Sequence, residues 1–242
     1  MSIRTLEKDD PSVAVDLRSV QRTLSNGDLP ALQSGDHLSR AEFERRYQAH
    51  PEIKKAELIE GVVYVASPVR VRRHGVPHSD IIGWLSVYRA ATPGVNIADN
   101  ATFRLDLENE PQPDVAVWLE GGRAAADAND YLAGAPELLV EVAASSAAID
   151  LNDKLRAYRR NGVQEYLVLL THEQEVRWYA FQGGETYRIE PDAQGVLHSQ
   201  VLPGLALAPA LFWQGNLAGV LEVLQQSMAT PTHADFVKRR QG

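Results

Sequence analysis

No cysteine occurs among the 242 residues. Disulfides, a thiolate nucleophile and cysteine zinc sites are therefore excluded, and any bound metal must rest on oxygen or histidine ligands. A long apolar run is also missing, since none approaches the roughly 20 residues that a membrane span requires. Nor does a positively charged start lead into an apolar segment of signal type. The expectation is a cytoplasmic protein with no membrane partner. An excess of positive charge is lacking too, because 24 Lys and Arg stand against 32 Asp and Glu for a net charge of −8. Nothing in the overall charge draws the chain toward nucleic acid or anionic lipid, so any such binding must be local. There is no internal repeat.

What is present is enough apolar material, 44% of residues, for one substantial core. The expected organisation is a poorly specified extension over residues 1–37, a single domain over 38–230 and a frayed tail over 231–242. The stretch from Gln112 to Gly162 organises the domain. Asp114 opens the run VAVW, and Glu141 interrupts LLVEVA. Both runs are short and rich in β-branched residues, with Pro, Gly or polar clusters at their ends, which predicts strands largely buried in a sheet. A carboxylate in such a layer needs a cation, a donor or a metal. After the Ser145-Ser146 turn, Leu151, Leu155 and Tyr158 follow a helical repeat, with Lys154 at the edge of that stripe. Asn161-Gly162 reads as its left-handed C-cap.

The flanking segments supply further expectations. Ser39 and Glu42 have capping-box spacing before a short helix carrying Phe43 and Tyr47. AELIEGVVYVA predicts a β-hairpin turning at Glu60-Gly61, with Glu57 in its first strand as either a solvent-facing edge charge or a site acid. Arg70, Arg72, Arg73 and His74 form a basic loop, either solvated or phosphate-contacting. A helix follows with Ser79 as its possible cap and His78 at its start. VNIADNATFRLDL predicts a strand alternating at Phe103, Leu105 and Leu107. Gly121 to Ala135 reads as a loop or a helical turn, EYLVLL as a central strand after a helix crossover, EVRWYAF and ETYRIE as a hairpin, and NLAGVLEVLQQSM as an amphipathic helix.

Two strand carboxylates and a nearby lysine have the chemistry for phosphodiester hydrolysis: oxygen ligands for Mg²⁺ or Mn²⁺, and a cation for developing charge. The ordered motifs ELIEG, a Ser-Pro loop with His before a helix, PD, LLVEVAASS, D-x-x-x-K-x-x-x-Y and NGVQEYLVL resemble the Uma-two-type endonuclease family of the PD-(D/E)XK restriction-endonuclease-like superfamily. The resemblance runs from about Leu38 to Phe212. It implies an α+β fold with a mixed central sheet flanked by helices, the hairpin being an N-terminal addition. It also implies that Asp114 and Glu141 are the metal-binding acids. Ala143 stands where the strict pattern has lysine, so Lys154 on the following helix becomes its counterpart, with Asp150 and Tyr158 as companions. Glu57 matches an early family glutamate, and His78 a helix-start histidine, with His74 its rival. The implied activity is a metal-dependent endonuclease acting on DNA through Asp114, Glu141, Lys154 and Glu57, with Arg70, Arg72, Arg73 and His78 touching nucleic acid, in a homodimer. The alternative is a catalytically inactive binding or regulatory module on the same scaffold.

Overall fold

The computed structural model of the protein describes residues 29–66 and 70–241. In chain order, helix α1 (Arg40–Ala49) precedes a hairpin of β1 (Ala56–Ile59) and β2 (Val62–Val65), and α2 (Val76–Ala91) leads to β3 (Val95–Asp99), β4 (Phe103–Arg104) and β5 (Val115–Leu119). The short β6 (Ala125–Ala126) and β7 (Leu132–Ala133) come before β8 (Leu138–Ala143). A crossover of α3 (Ala147–Ile149), a wide turn at Asp150–Lys154 and α4 (Leu155–Arg160) then reaches β9 (Glu165–Leu170). The chain closes with β10 (Glu175–Gln182), β11 (Glu185–Arg188), β12 (Leu197–His198), β13 (Ala206–Leu207), α5 (Pro209–Trp213), α6 (Leu217–Met228) and α7 (Pro231–Gln241).

The centre is a six-stranded mixed sheet in the order β11-β10-β9-β8-β5-β3. Within this sheet only β8 and β9 pair in parallel, because the helical crossover between them returns the chain to the same end of the sheet. Both strands are buried at every residue, as expected of strands covered on two faces. On one face Ile81, Trp84, Leu85 and Tyr88 of α2 pack with Val220 and Leu224 of α6 against Val115, Leu138, Val140 and Leu167. On the other, Leu151, Leu155 and Tyr158 lie against Leu139, Tyr166 and Val168, which confirms the helical stripe. The β1–β2 hairpin and α1 enclose a smaller core of Phe43, Leu58 and Val63. The hairpin turns at Glu60 and Gly61, both with positive φ (53° and 73°), the conformation a two-residue type I′ connection demands.

Several expectations change. Residues 1–28 of the expected extension, and Ser67-Pro68, lie outside the described residues. Residues 29–37 are part of the fold, since Leu29 and Leu32 are buried and His37 bridges Val62. The strand expected to run to Leu107 stops at Asp99, because Asn100 adopts positive φ (50°) and turns the chain. Leu107 is exposed. Gly121 to Ala135 contributes strands β6 and β7 to a small three-stranded sheet rather than a helical turn. The expected basic loop is helical, a wide π turn over Val71–Gly75 running directly into α2, so Ser79 is inside the helix and not its cap. The tail expected to fray forms α7, anchored by buried His233 and Phe236. No helix among the described residues is long and apolar enough to cross a membrane.

Glu165, fully buried at the start of β9, accepts hydrogen bonds from Trp178 Nε1 (3.0 Å), Ser199 Oγ (2.8 Å) and the backbone N–H groups of Gln200 (2.6 Å) and Val201 (3.2 Å). Burial pushes its carboxyl up from 4.5 to about 7, against the pull of those donors. A folded-state value above the unfolded one means that the contribution is complete below about 4.5 and lost as pH rises through about 7. Wild-type stability should therefore fall across this window by up to roughly 3 kcal/mol relative to Glu165→Gln. Urea unfolding of both proteins at about pH 4.5 and about pH 8 measures the difference, and parallel profiles would refute the assignment.

Candidate active site

The site begins with sheet register. Val115 pairs with Val140 across β5 and β8, so Asp114, one residue earlier, stands opposite Glu141. Residues opposite one another share a face, and both acids lie on the face covered by the crossover helix. The Val142 N–H fastens the pair by donating to Asp114 Oδ2 at 2.8 Å. Burial raises the Asp114 carboxyl, but His74, the Lys55 charge and the Val142 N–H outweigh it and hold the group well below the usual carboxylate range. Asp114 is an anion in a nearly dry position.

Lys154 sits at the centre of the cluster. Its Nζ lies 2.9 Å from Glu141 Oε1, 3.0 Å from Glu57 Oε1 and 3.5 Å from Asp150 Oδ1. Three carboxylates from three elements thus share one ammonium. Glu141 Oε1 also accepts from the Tyr158 hydroxyl at 3.0 Å, and Asp150 Oδ2 from Ser146 Oγ at 2.6 Å. Asp150 Oδ1 is buried with no hydrogen-bond donor among the described residues. Burial alone would lower the Lys154 ammonium, yet the surrounding carboxylates raise it well above its ordinary value. Burial pushes Glu141 strongly upward, with Lys154 opposing and the neighbouring acids adding to the rise. Asp150 is raised for the same reasons. The lysine is held toward its charged form, and Glu141 and Asp150 are pushed toward protonation.

The expected edge position of Lys154 is corrected by the helix geometry. Asp150–Lys154 forms a π turn, and both of its end residues are buried. Such wide turns recur at functional sites because they re-aim side chains within a helix. Here the turn points an acid and a lysine into the sheet together. Glu57 is not a solvent-facing edge charge: its Oε1 receives the Gln112 N–H at 2.7 Å as well as Lys154. Of the two histidines, His74 reaches the Asp114 carboxylate (Nε2 to Oδ2, 3.2 Å). His78 instead touches the Asp114 backbone carbonyl (3.1 Å) and Asp99 Oδ1 (3.0 Å). Arg72 and Arg73 are exposed on the π turn that carries His74 and Arg70 just before it, with Arg73 Nη1 3.3 Å from His172 Nε2.

Two residues escaped the sequence reading. Lys55 Nζ lies 3.6 Å from Asp114 Oδ1 and donates to Asn100 Oδ1 at 2.7 Å. A strand period of two from Glu57 was the available signal for Lys55. Asn100 carried none, because its role depends on the left-handed turn after β3. Among the described residues no group of three or more His, Asp or Glu side chains is arranged to hold a metal ion. Two facing carboxylates of hard oxygen still suit a hydrated Mg²⁺, which commonly takes one or two carboxylates and fills its remaining positions with water and phosphate.

The mixed central sheet flanked by helices is the restriction-endonuclease-like fold. A solved structure of the same fold, described as "a putative nuclease belonging to DUF820" from Anabaena variabilis ATCC 29413, is 19% identical with a TM-score of 0.54. That likeness covers 66% of this chain and 89% of the other. The model of the Uma2 family, described as "Putative restriction endonuclease", matches residues 40–210, and the chain belongs to that family. No curated protein matches the chain.

Removing the central cation should be costly. Lys154→Met leaves Glu57, Glu141 and Asp150 without their shared partner, and breaking a buried ion pair from one side typically costs about 3–5 kcal/mol. The loss should be larger at pH near 8 than near 5, where the acids can neutralise themselves by protonation. Chemical denaturation at both pH values tests this, and a loss of only a few tenths of a kcal/mol, as for an exposed helix pair, would contradict it.

Proposed function

We propose that this protein is a divalent-metal-dependent endonuclease that hydrolyses phosphodiester bonds of DNA. The family and the fold support a nuclease-like function. The observation that carries the finer reading is the register that sets Asp114 opposite Glu141 on one sheet face, beside a buried surplus of carboxylates. Asp114 and Glu141 would hold Mg²⁺ or Mn²⁺. When bound, such an ion neutralises phosphate charge and makes a water more acidic. Asp114 is already ionised for that task. Glu141 receives Lys154 and Tyr158 on Oε1, an arrangement that fixes the side chain while placing no hydrogen bond on Oε2 among the described residues. Lys154 and Glu57 set the local charge and the pose of Glu141. His74 orients Asp114 through its contact with Oδ2. The exposed Arg70, Arg72 and Arg73 flank His74 and supply the local positive charge that the net charge of −8 does not.

One observation favours the alternative of a catalytically inactive nuclease-fold module. The Lys154 ammonium is surrounded by acids and its side chain is only 5% exposed, so in this state it presents nothing to a substrate. Cleavage of supercoiled DNA in Mg²⁺ or Mn²⁺ that stops with EDTA supports the enzyme; metal-independent DNA binding without cleavage supports the module.

Asp114→Asn and Glu141→Gln should each weaken Mn²⁺ binding by at least about tenfold, through loss of an anionic ligand in a poorly solvated position. Because Glu141 holds its proton to unusually high pH, wild-type Mn²⁺ affinity should rise with pH as the competing proton leaves, and Glu141→Gln should flatten that rise. Calorimetry across pH decides both points, and unchanged affinity in the two variants would remove the site. Replacing Arg70, Arg72 and Arg73 with Gln should reduce the salt dependence of DNA binding by about 0.9 per lost phosphate contact. An unaltered slope would place the DNA elsewhere.

A further inference from the structure

Two lysines stand at the carboxylates, and they are in opposite situations. Lys154 is enclosed: its side chain is 5% exposed, and Glu57, Glu141 and Asp150 lie around its ammonium. The ammonium carries three N–H donors, and three acids already face it. Lys55 is open: its side chain is 27% exposed and its ammonium lies 3.6 Å from Asp114 Oδ1. That spacing is a loose ion pair rather than a hydrogen bond. The close partner of Lys55 is neutral, the Asn100 side-chain oxygen at 2.7 Å.

Asn100 is built for this contact. It holds a left-handed backbone (φ 50°) immediately after β3, a conformation that Asn tolerates better than most residues. Its own N–H donates to the Asp114 carbonyl at 3.2 Å, and its amide nitrogen to Asp99 Oδ1 at 2.7 Å. The residue that parks Lys55 is therefore anchored to the backbone of the acid that Lys55 neutralises. Deviant backbone conformations of this kind concentrate where function requires a particular pose.

We propose that Lys55, rather than Lys154, is the lysine that meets the substrate: a movable counter-cation of Asp114, held beside it by Asn100, that turns to a DNA backbone phosphate once Asp114 is neutralised otherwise. This assignment rests on the metal-dependent nuclease reading above. A long, partly exposed side chain paired loosely at one end can swing with little packing lost, whereas Lys154 cannot leave its cage without stranding three acids. Lys154 is then a positioning residue for Glu141. Lys55 also competes for Asp114 in the absence of substrate, and this effect can be measured without any catalysis.

The test uses the full chain and the variants Lys55→Met and Lys55→Arg, each checked by melting temperature. Calorimetric titration with Mn²⁺ and no DNA should give about three- to tenfold tighter binding for Lys55→Met, because a positive charge beside the ligand is gone, and near wild-type binding for Lys55→Arg. Binding to a short DNA duplex, with Ca²⁺ replacing Mg²⁺ to hold cleavage down, should show a salt slope lower by about 0.9 for Lys55→Met alone. Cleavage in Mg²⁺ should fall by about two orders of magnitude or more in the same variant. Tighter Mn²⁺ binding together with a reduced slope establishes the role. Unchanged or weaker Mn²⁺ binding, or an unchanged slope, in a folded Lys55→Met protein overturns it while leaving the nuclease reading intact. Should Lys55→Met fail to fold, the exposed-lysine premise is itself wrong and the assignment falls. A wild-type protein that binds neither Mn²⁺ nor the duplex overturns the nuclease reading and this assignment together.

Discussion

A single ammonium, that of Lys154, ties together a hairpin, a central strand and a crossover helix. Glu57 comes from β1, Glu141 from β8, and Asp150 and Lys154 from the π turn. Isolated buried ion pairs give little net stability, because desolvation offsets the attraction. Their value is in specification: any other packing of these elements leaves at least one acid stranded in a low-dielectric layer. The small hairpin core around Phe43 and Leu58 has its own apolar contacts. Glu57 ties it to the site, receiving Lys154 on one side and the Gln112 N–H on the other.

The same arrangement separates two kinds of carboxylate. Asp114 sits among His74, Lys55 and a backbone N–H and is held ionised, while Glu141 and Asp150 outnumber their one cation and are pushed toward the protonated form. Neighbouring acids with opposed shifts are a recurrent feature of sites that bind cations or move protons. Geometry causes the split. Asp114 lies at the end of its strand, where the π turn of α2 and the residue before the hairpin can reach it. Glu141 is internal to its strand, and the cation beside it, Lys154, comes from the crossover helix while the other neighbours are acids.

Much of this was legible from the chain. The buried runs around Asp114 and Glu141, the hairpin turn at Glu60-Gly61, the stripe of Leu151, Leu155 and Tyr158, and the C-cap at Gly162 each follow from local pattern and turn chemistry. These rules act over a few residues. Where local pattern and long-range contacts compete, the sequence reading was less complete. The alternation through Phe103, Leu105 and Leu107 suggested a longer strand, but the turn at Asn100 ends β3. The polar tail after Thr230 suggested fraying, but Phe236 and His233 find buried places against the domain.

The sequence by itself determined that Asp114 and Glu141 carry charge into apolar strands and had to find partners, while it left Glu57 open between an edge charge and a site acid and set Lys154 at the edge of its stripe. Only the tertiary structure decided who those partners are. Lys154 and Glu57 are separated by almost a hundred positions, and His74 on the π turn, not His78, reaches the Asp114 carboxylate. Lys55 and Asn100 gain significance solely from where β1 and the end of β3 arrive beside Asp114. Electrostatic pairing depends on distance in space, and a one-dimensional pattern fixes the face of a side chain without fixing what is brought opposite to it.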